Sequence, residues 1–314
     1  MSAVGRVKEG SGVGSLGRIL EPHAPEEFLA SSWGVRLLHV RGRAGRFSDL
    51  MPWPRLNEIL RRHRLDFPRL RLVRDGRPAP VSSFLKHVTG GRGRTNIPRL
   101  KTDELAKQLR EGATLVLDAV DELSEPVEEL AEGLELLFHE HVQVNLYAGW
   151  QTSRGFDLHL DDHDVFILQV AGRKRWSVYG MTRPYPLVND VEKAQKPTHE
   201  PLWEGTLEDG DLLYIPRGWW HVAEALAEPT VHLTVGVHNR TGLDFLHRLS
   251  RVKGTGSSAI GWSLATILAH TRCRNTSGRD LLRHLHRRAR PRMPHAHDRY
   301  PGHLRPGSHQ WATS

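Results

Sequence analysis

The sequence predicts a mainly β protein with flanking helices, whose core is an antiparallel barrel or jelly roll. The first observation is a run of short apolar stretches after residue 141, separated by Gly, Pro, Asn and Asp, as is typical of successive antiparallel strands. The second is that helical and strand patterns are mixed before this point. We therefore expect the core at residues 141–240, with strands at 142–150, 165–170, 175–179, 212–215 and 230–237.

The part before this core divides in two. Residues 1–24 are rich in Gly, Ser and Val without a helical or strand period, so we expect a disordered leader. Residues 25–140 are expected to form a mixed α/β N-terminal part. Within it, 70–73 is a predicted strand that runs into a tight turn at Asp75-Gly76, and Ser124 precedes a predicted helix at 125–139.

The part after the core also divides in two. Residues 241–278 are predicted to be helical and could provide the contacts of a homodimer. Residues 279–314 hold eight arginines and two aspartates, which is most of the net charge of +8. This basic tail has little to bury, and we expect it to be disordered. Because the rest of the chain is close to neutral, nucleic-acid binding is not favoured apart from the tail.

Composition narrows the class of protein further. The single cysteine, Cys273, excludes internal disulfides and any site with several thiolate ligands, so a metal would need histidine and carboxylate ligands. No stretch approaches the roughly 18 uninterrupted apolar residues of a membrane span. We therefore expect a cytoplasmic protein with no membrane partner.

A candidate metal site lies in Asp-Leu-His-Leu-Asp at 157–161. In extended backbone, His159 and Asp161 point to the same side and can share one metal ion. A third ligand must come from elsewhere, and His221, in Ile-Pro-Arg-Gly-Trp-Trp-His at 215–221, is the candidate. Two imidazoles and one carboxylate leave coordination positions open, which is typical of non-haem Fe(II) oxygenases. A His-x-Asp pair alone is weak evidence, because it occurs by chance in many proteins.

The residues that follow the pair make it more specific. Lys174 comes after the apolar stretch 165–170 and a turn at Gly172, and it stands beside Trp176. A lysine in a strand is ordinarily a solvated edge residue. Near a metal, its ammonium could instead hold the far carboxylate of a dicarboxylate cosubstrate, because a buried charge is tolerable where it is paired.

These motifs together resemble a known family. Asn-Leu-Tyr at 145–147, the segment 153–176 around His-Leu-Asp, and Tyr-Ile-Pro-Arg-Gly-Trp-Trp-His at 214–221 look like the JmjC ribosomal-oxygenase group of cupin-like proteins. The motifs occur in the order of that group with compatible spacing. The resemblance covers residues 145–236 most clearly and implies a double-stranded β-helix core of the jelly-roll, cupin type.

The resemblance also implies roles for single residues. His159, Asp161 and His221 match the ligands of Fe(II), and Lys174 matches the residue that binds the distal carboxylate of the cosubstrate 2-oxoglutarate. Asn145 matches a polar residue near the cosubstrate, and Thr234 matches a hydroxyl position that assists the same carboxylate. Tyr147 could contact the cosubstrate or the substrate. For these three, the alternative is a barrel strand in which residues point in and out by turns.

The implied activity is that of a 2-oxoglutarate-dependent dioxygenase, a hydroxylase that acts on a side chain of a protein or peptide and releases succinate and CO2. A ribosomal protein is the first expectation for the substrate. The sequence departs from the family at Ala-Gly-Trp 148–150, where a Thr-Pro-Pro-like turn is common, and at Arg154, where Gln is common. Because these positions border the substrate cleft, a peptide natural product stays open as an alternative substrate.

Two other classes of protein remain. One is a metal-binding cupin scaffold without catalysis, and the other is a different metalloenzyme, such as a cupin isomerase or a zinc hydrolase. The intact set of His159, Asp161, His221 and Lys174 argues against both. The remaining polar residues nearby are interpreted as supporting, structural or solvated rather than ligating: Asp162, His163, Asp164, His199, His232 and His238.

Overall fold

The structure, a computed structural model, describes residues 11–90, 95–187 and 194–242. Five α-helices lie in these ranges: α1 (Ser11–Leu20), α2 (Pro25–Ser31), α3 (Trp53–Arg62), α4 (Thr102–Arg110) and α5 (Glu125–Phe138). None of them is long and apolar enough to cross a membrane. The predicted helical segment beyond residue 242 and the predicted disordered tail at 279–314 lie outside the described residues.

The same ranges contain thirteen strands: β1 (Leu38–Val40), β2 (Leu70–Arg74), β3 (Arg77–Pro78), β4 (Leu85–Gly90), β5 (Thr95–Leu100), β6 (Thr114–Leu117), β7 (His141–Gly149), β8 (Asp164–Ala171), β9 (Lys174–Met181), β10 (Trp203–Leu207), β11 (Leu212–Ile215), β12 (Trp219–Ala225) and β13 (Thr230–His238). They form an eight-stranded sheet in the order β1-β11-β8-β13-β7-β6-β2-β3, a three-stranded sheet β10-β9-β12, and the hairpin β4-β5. Each of these pairings is antiparallel.

The two larger sheets pack against each other. Val165 and Ile167 of β8 lie in one buried cluster with Trp176 and Val178 of β9. The alternate residues of β8, such as Phe166, point to the opposite face and join the main core with the helices. The side chains on both faces of β8 are therefore buried, as expected for a strand whose sheet is packed on both sides. The fold is therefore a mainly β jelly roll of the double-stranded β-helix type with flanking helices, as the sequence predicts.

The N-terminal part is continuous with the large sheet. Strand β6 pairs with β7, and β2 pairs with β6, so both extend the sheet beyond the jelly-roll strands. The tight turn predicted at Asp75-Gly76 joins β2 to β3, and both residues have positive φ, +49° and +71°. This hairpin brings the tip of an N-terminal element to the edge of the core.

The expectation of a disordered leader is wrong for residues 11–20, which form α1. Leu16, Ile19 and Leu20 of this helix are fully buried. Gly12 allows the close approach to α5, because a Cβ atom there would lie 2.9 Å from the carbonyl oxygen of Gly133. The glycines that suggest disorder are thus part of a helix contact. Residues 1–10 lie outside the described part of the chain.

Candidate metal centre

The segment that carries His159 and Asp161 is held beside the first residues of β12. His159 and His221 form an antiparallel bridge in which each backbone N–H donates to the other's carbonyl oxygen, at 3.2 and 2.8 Å. The backbone N–H of Gly218 donates to the carbonyl oxygen of Asp161 at 2.8 Å. These bonds bring together two segments that are far apart in the sequence.

The bridge places the three predicted ligands in one group. One donor atom from each of His159, Asp161 and His221 lies within 4.8 Å of the other two. Asp161 Oδ2 is 3.5 Å from His221 Nε2, and the two imidazole centroids are 4.4 Å apart. Within the described ranges, no other set of histidine, cysteine and acidic side chains meets this distance criterion.

The hydrogen bonds of the two imidazoles leave the correct atoms free for a metal. His159 Nδ1 is 2.8 Å from the carbonyl oxygen of Asp157, and His221 Nδ1 is 3.1 Å from that of Trp219. A carbonyl oxygen only accepts, so each Nδ1 carries a proton, and in a neutral imidazole Nε2 is then the nitrogen with the free lone pair. Such a carbonyl contact is the usual way in which the tautomer and orientation of a ligating histidine are set.

The protonation state of His221 also suits a metal. Burial, together with neighbouring His159, lowers the pKa of His221 to about 4, so its imidazole is neutral at pH 7. A neutral imidazole is the form that binds a metal ion. Two imidazole nitrogens and one carboxylate oxygen fit Fe(II), although the same three ligands would also accept zinc.

Lys174 is a buried ammonium that has no counter-charge among the described residues. It is the first residue of β9, only 6% of its surface is exposed, and burial lowers the pKa of its side chain to about 8. No carboxylate lies within ion-pair distance of Nζ among the residues that the structure describes. Lys174 Nζ lies near the ring of Trp176, at 5.8 Å from the ring centroid. A cation in this position is costly unless an anion joins it.

His232 lies beside Lys174, and sequence reasoning missed its place there. The side chain is 2% exposed, and its Nδ1 atom is buried without a hydrogen-bond partner in the described part of the chain. Burial and the charge of Lys174 hold the pKa of His232 well below its ordinary value, so the ring is neutral. The sequence did offer a signal for this position. Side chains alternate between the two faces of a strand, so His232, two positions before Thr234 in β13, lies on the same face as Thr234.

Tyr147 pairs with His232 across β7 and β13. Their rings stack at a centroid distance of 4.9 Å and an angle of 6°. Burial, and then the charge of Asp161, raises the pKa of the Tyr147 hydroxyl, so it keeps its proton and remains a hydrogen-bond donor. The predicted position of Tyr147 in this interior is thus compatible with the structure, and its contact with a cosubstrate stays a prediction.

Asn145 and Thr234 are cross-strand partners in the same two strands. The Oδ1 atom of Asn145 accepts hydrogen bonds from the backbone N–H of Ala119 and from Gln143 Nε2, both at 3.0 Å. This oxygen therefore already ties β7 to the segment after β6. The roles of Asn145 and Thr234 toward a cosubstrate stay predictions.

Asp164 is not a solvated loop residue but a buried part of β8, with 3% of its surface exposed. Its carboxylate accepts hydrogen bonds from the Tyr214 hydroxyl at 2.5 Å, from Asn239 Nδ2 at 2.6 Å and from the Arg217 backbone N–H at 3.4 Å. Arg217 lies in the turn that leads into β12. Asp164 thus supports the segment that carries His221, rather than offering a ligand.

One protein family and several curated proteins are similar to this chain. Residues 123–245 match the family of the JmjC domain. Ribosomal oxygenase 1 of Gallus gallus is 31% identical over 242 residues, which cover 74% of this chain and 38% of that protein. The bifunctional lysine-specific demethylase and histidyl-hydroxylase NO66 of Drosophila persimilis is 27% identical over 242 residues, 72% of this chain and 32% of that protein. The chain therefore spans about a third of the length of these curated relatives.

Among solved structures, the chain resembles the ribosomal oxygenase YcfD of Escherichia coli in complex with cobalt and 2-oxoglutarate. The match has 23% sequence identity and a TM-score of 0.46, and it covers 76% of this chain and 59% of that protein.

Proposed function

From the match of residues 123–245 to the JmjC domain, we propose that the protein is an Fe(II)- and 2-oxoglutarate-dependent oxygenase that hydroxylates a side chain of a protein or peptide. In this proposal His159, Asp161 and His221 hold Fe(II), and Lys174 binds the distal carboxylate of 2-oxoglutarate. When bound, the metal and cosubstrate supply the oxidising power that converts a C–H group into C–OH with O2, releasing succinate and CO2.

The observation that carries the proposal is the position of Trp176 between the two parts of the site. Its ring centroid is 5.8 Å from Lys174 Nζ and 6.1 Å from the centroid of His221. The unpaired ammonium and the metal-binding group therefore border the same indole. A dicarboxylate held by Lys174 is consequently close to the triad, whereas a simple metal hydrolase has no need of a buried lysine here.

The residues around Lys174 make different contributions to the binding of a carboxylate. The ammonium of Lys174 neutralises a carboxylate, and the protonated Tyr147 hydroxyl can donate to it. His232 is neutral, so it adds no second positive charge beside Lys174. A neutral imidazole can still donate or accept a hydrogen bond. The buried apolar residues between the sheets, such as Val165 and Val178, keep water from the interior.

A ribosomal protein is the substrate that we propose first, because the names of similar curated relatives include a ribosomal oxygenase and a histidyl-hydroxylase. A cytoplasmic location is the expectation that accompanies such a substrate. The homodimer predicted from residues 241–278 stays a prediction.

The test begins with the cosubstrate. Purified protein is incubated without oxygen with Fe(II) and 2-oxoglutarate, and the visible metal-to-cosubstrate absorption band is recorded before oxygen is admitted and succinate is measured. We expect the band and succinate from the wild-type protein and from His23→Ala, which removes an exposed histidine. Asp161→Ala should lose both signals.

Lys174→Met separates cosubstrate binding from metal binding. This variant should need much more 2-oxoglutarate for the band but keep its affinity for the metal. If the wild-type protein gives neither a band nor succinate, the oxygenase proposal is wrong and a silent metal-binding scaffold takes its place. Succinate production with candidate ribosomal peptides, followed by a mass search for one added oxygen, then tests the substrate.

A further inference from the structure

The tip of the β2-β3 hairpin lies against the segment that carries His159. The backbone N–H of Asp75 donates to the carbonyl oxygen of Arg154 at 2.8 Å, and that of Gly76 donates to the carbonyl oxygen of Gly155 at 3.3 Å. Both residues of this tight turn have positive φ, a conformation that is common in two-residue hairpin turns. Two consecutive N–H groups of the N-terminal part are thus used to hold the ligand segment.

Gly76 also contacts the side chain that precedes His159 by two positions. A Cβ atom at Gly76 would lie 2.6 Å from Asp157 Oδ2 and 2.7 Å from Asp157 Cγ. The carbonyl oxygen of the same Asp157 accepts the hydrogen bond from His159 Nδ1 at 2.8 Å. A short chain of contacts therefore leads from the hairpin tip to the orientation of the first predicted metal ligand.

The opposite side of the ligand segment is held by the jelly roll. Ala225 N–H donates to the carbonyl oxygen of Ser153 at 3.1 Å, Arg154 bridges to Glu224, and His159 bridges to His221. The segment lies between β7 and β8 and has no strand of its own beyond these bridges. Ser153 Oγ also donates to the carbonyl oxygen of Gly112 at 2.7 Å. The hydrogen bonds that hold the segment therefore come from β12, from Gly112 before β6 and from the hairpin tip.

We propose that the Asp75-Gly76 hairpin tip positions His159 for metal binding, with Gly76 required because a Cβ atom there would meet the exposed carboxylate of Asp157. This proposal rests on the metal site proposed above and adds a positioning residue from the N-terminal part. The hairpin is itself anchored, because Arg74 Nη1 donates to the carbonyl oxygen of Glu111 at 3.3 Å. Loss of the group that hydrogen-bonds a ligating histidine commonly changes metal affinity by about 10- to 100-fold, and the hairpin tip contacts the residue that provides this group for His159.

The test uses Gly76→Asn, because asparagine tolerates positive φ better than most residues and keeps the turn while adding a Cβ atom. Gly45→Asn is the matched control. Gly45 has φ of +79°, and a Cβ atom there would lie 3.8 Å from its nearest neighbour, Ser48 Oγ. Binding of Co(II) to the metal-free proteins is followed by the visible absorption of the bound ion, and circular dichroism monitors the fold. Activity is not needed as a readout.

We expect Co(II) to bind to Gly76→Asn at least about ten-fold more weakly than to the wild-type protein, and to Gly45→Asn within about two-fold of it. The double variant Gly76→Asn/Asp157→Ala removes the carboxylate that the new side chain meets, so its affinity should return close to that of Asp157→Ala. Such a rescue is not expected if Gly76→Asn only weakens the hairpin.

Three results overturn the inference. Equal Co(II) affinity in Gly76→Asn and Gly45→Asn would mean that Asp157 rotates away without moving His159. Failure of Asp157→Ala to rescue would mean that the contact with this side chain does not transmit the effect. Absence of Co(II) binding in the wild-type protein would overturn the proposed metal site, and this inference with it.

Discussion

His159 and His221 exchange both backbone hydrogen bonds of an antiparallel bridge, at 3.2 and 2.8 Å, and each donates its Nδ1 proton to a nearby carbonyl oxygen. The positions of the two Cα atoms and the orientations of the two rings are therefore fixed by the backbone. A metal ion that binds here meets ligands that are already ordered. Binding should consequently stabilise the fold without a large rearrangement.

The first prediction concerns this stabilisation. At a Mn(II) concentration about 100 times the dissociation constant, the free energy of unfolding of the metal-free protein should rise by about 2.7 kcal/mol, because the ion binds the folded chain. Asp161→Ala removes the carboxylate ligand and should reduce this gain to near zero. Denaturant unfolding with and without Mn(II) measures the effect. An equal gain in Asp161→Ala and in the wild-type protein would place the ion elsewhere.

The second prediction concerns Lys174→Met. The pKa of the folded-state lysine is about 8 rather than 10.5, so the unfolded chain binds the proton more tightly than the folded one. The free energy of unfolding of the cosubstrate-free wild-type protein should therefore rise with pH between about 8 and 10.5. At pH 7, Lys174→Met should be the more stable protein by up to about 3 kcal/mol, because a buried unpaired charge has been removed.

Denaturant unfolding at pH 7 and pH 10 checks this, with Lys107→Met, an exposed lysine of α4, as the matched control. The advantage of Lys174→Met should shrink at the higher pH, where the wild-type lysine is neutral in the folded state. A Lys174→Met protein that is less stable at both values would show that the ammonium has a partner in the cosubstrate-free state.

The grouping of His159, Asp161 and His221 was accessible to sequence reasoning because two of its members are local. His159 and Asp161 stand two positions apart, and strand alternation alone puts them on one side. The strands β8, β11 and β13 were predicted within one residue at each end, because their apolar runs are bounded by turn residues. Patterns of this kind need no knowledge of distant contacts.

Other features depend on register and packing. The turn at Asp75-Gly76 was predicted, but its contact with Arg154 and Gly155 follows from how β2 joins the sheet. His232 was expected to be structural or exposed, and the packing of β13 against β9 brings it close enough to Lys174 for the lysine charge to lower its pKa. Helix α1 was missed because glycine disfavours an isolated helix, whereas here Gly12 allows tight packing on α5.

The third prediction concerns acid sensitivity. The pKa of His232 lies well below 6.5 in the folded protein, mainly because of burial. Below about pH 6.5, His232 therefore binds a proton in the unfolded chain but not in the folded chain. The free energy of unfolding consequently falls as the pH falls. This residue should contribute a slope of about 1.4 kcal/mol per pH unit in that range. His221 contributes in the same direction, since its pKa is lowered to about 4.

His232→Phe keeps a ring that can stack on Tyr147 but removes the titrating group. The slope of unfolding free energy against pH from 6.5 to 5, measured with a chelator present, should fall by about one proton equivalent. His23→Phe, which changes an exposed histidine, should leave the slope unchanged. If His232→Phe has the slope of the wild-type protein, the ring of His232 is not excluded from protonation.

The fourth prediction concerns the buried pair Asp164 and Tyr214. Burial raises the pKa of Asp164, and the hydrogen bond from the Tyr214 hydroxyl opposes this by favouring the ionised form. Tyr214→Phe should cost about 1.5 to 3 kcal/mol of unfolding free energy at pH 7, because a hydrogen bond to a buried carboxylate is lost. The cost should decrease as the pH falls toward 4, since a protonated carboxyl depends less on this donor.

The same tyrosine also accepts a hydrogen bond from the Gly34 backbone N–H at 2.6 Å, so Tyr214→Phe alone mixes two effects. A double-mutant cycle with Asp164→Asn separates them, because the Gly34 contact is lost in both backgrounds. Tyr214→Phe should cost less in the Asp164→Asn protein than in the wild type. Equal costs in the two backgrounds, at both pH values, would assign the whole effect to Gly34 and leave the charge of Asp164 without influence on the turn before His221.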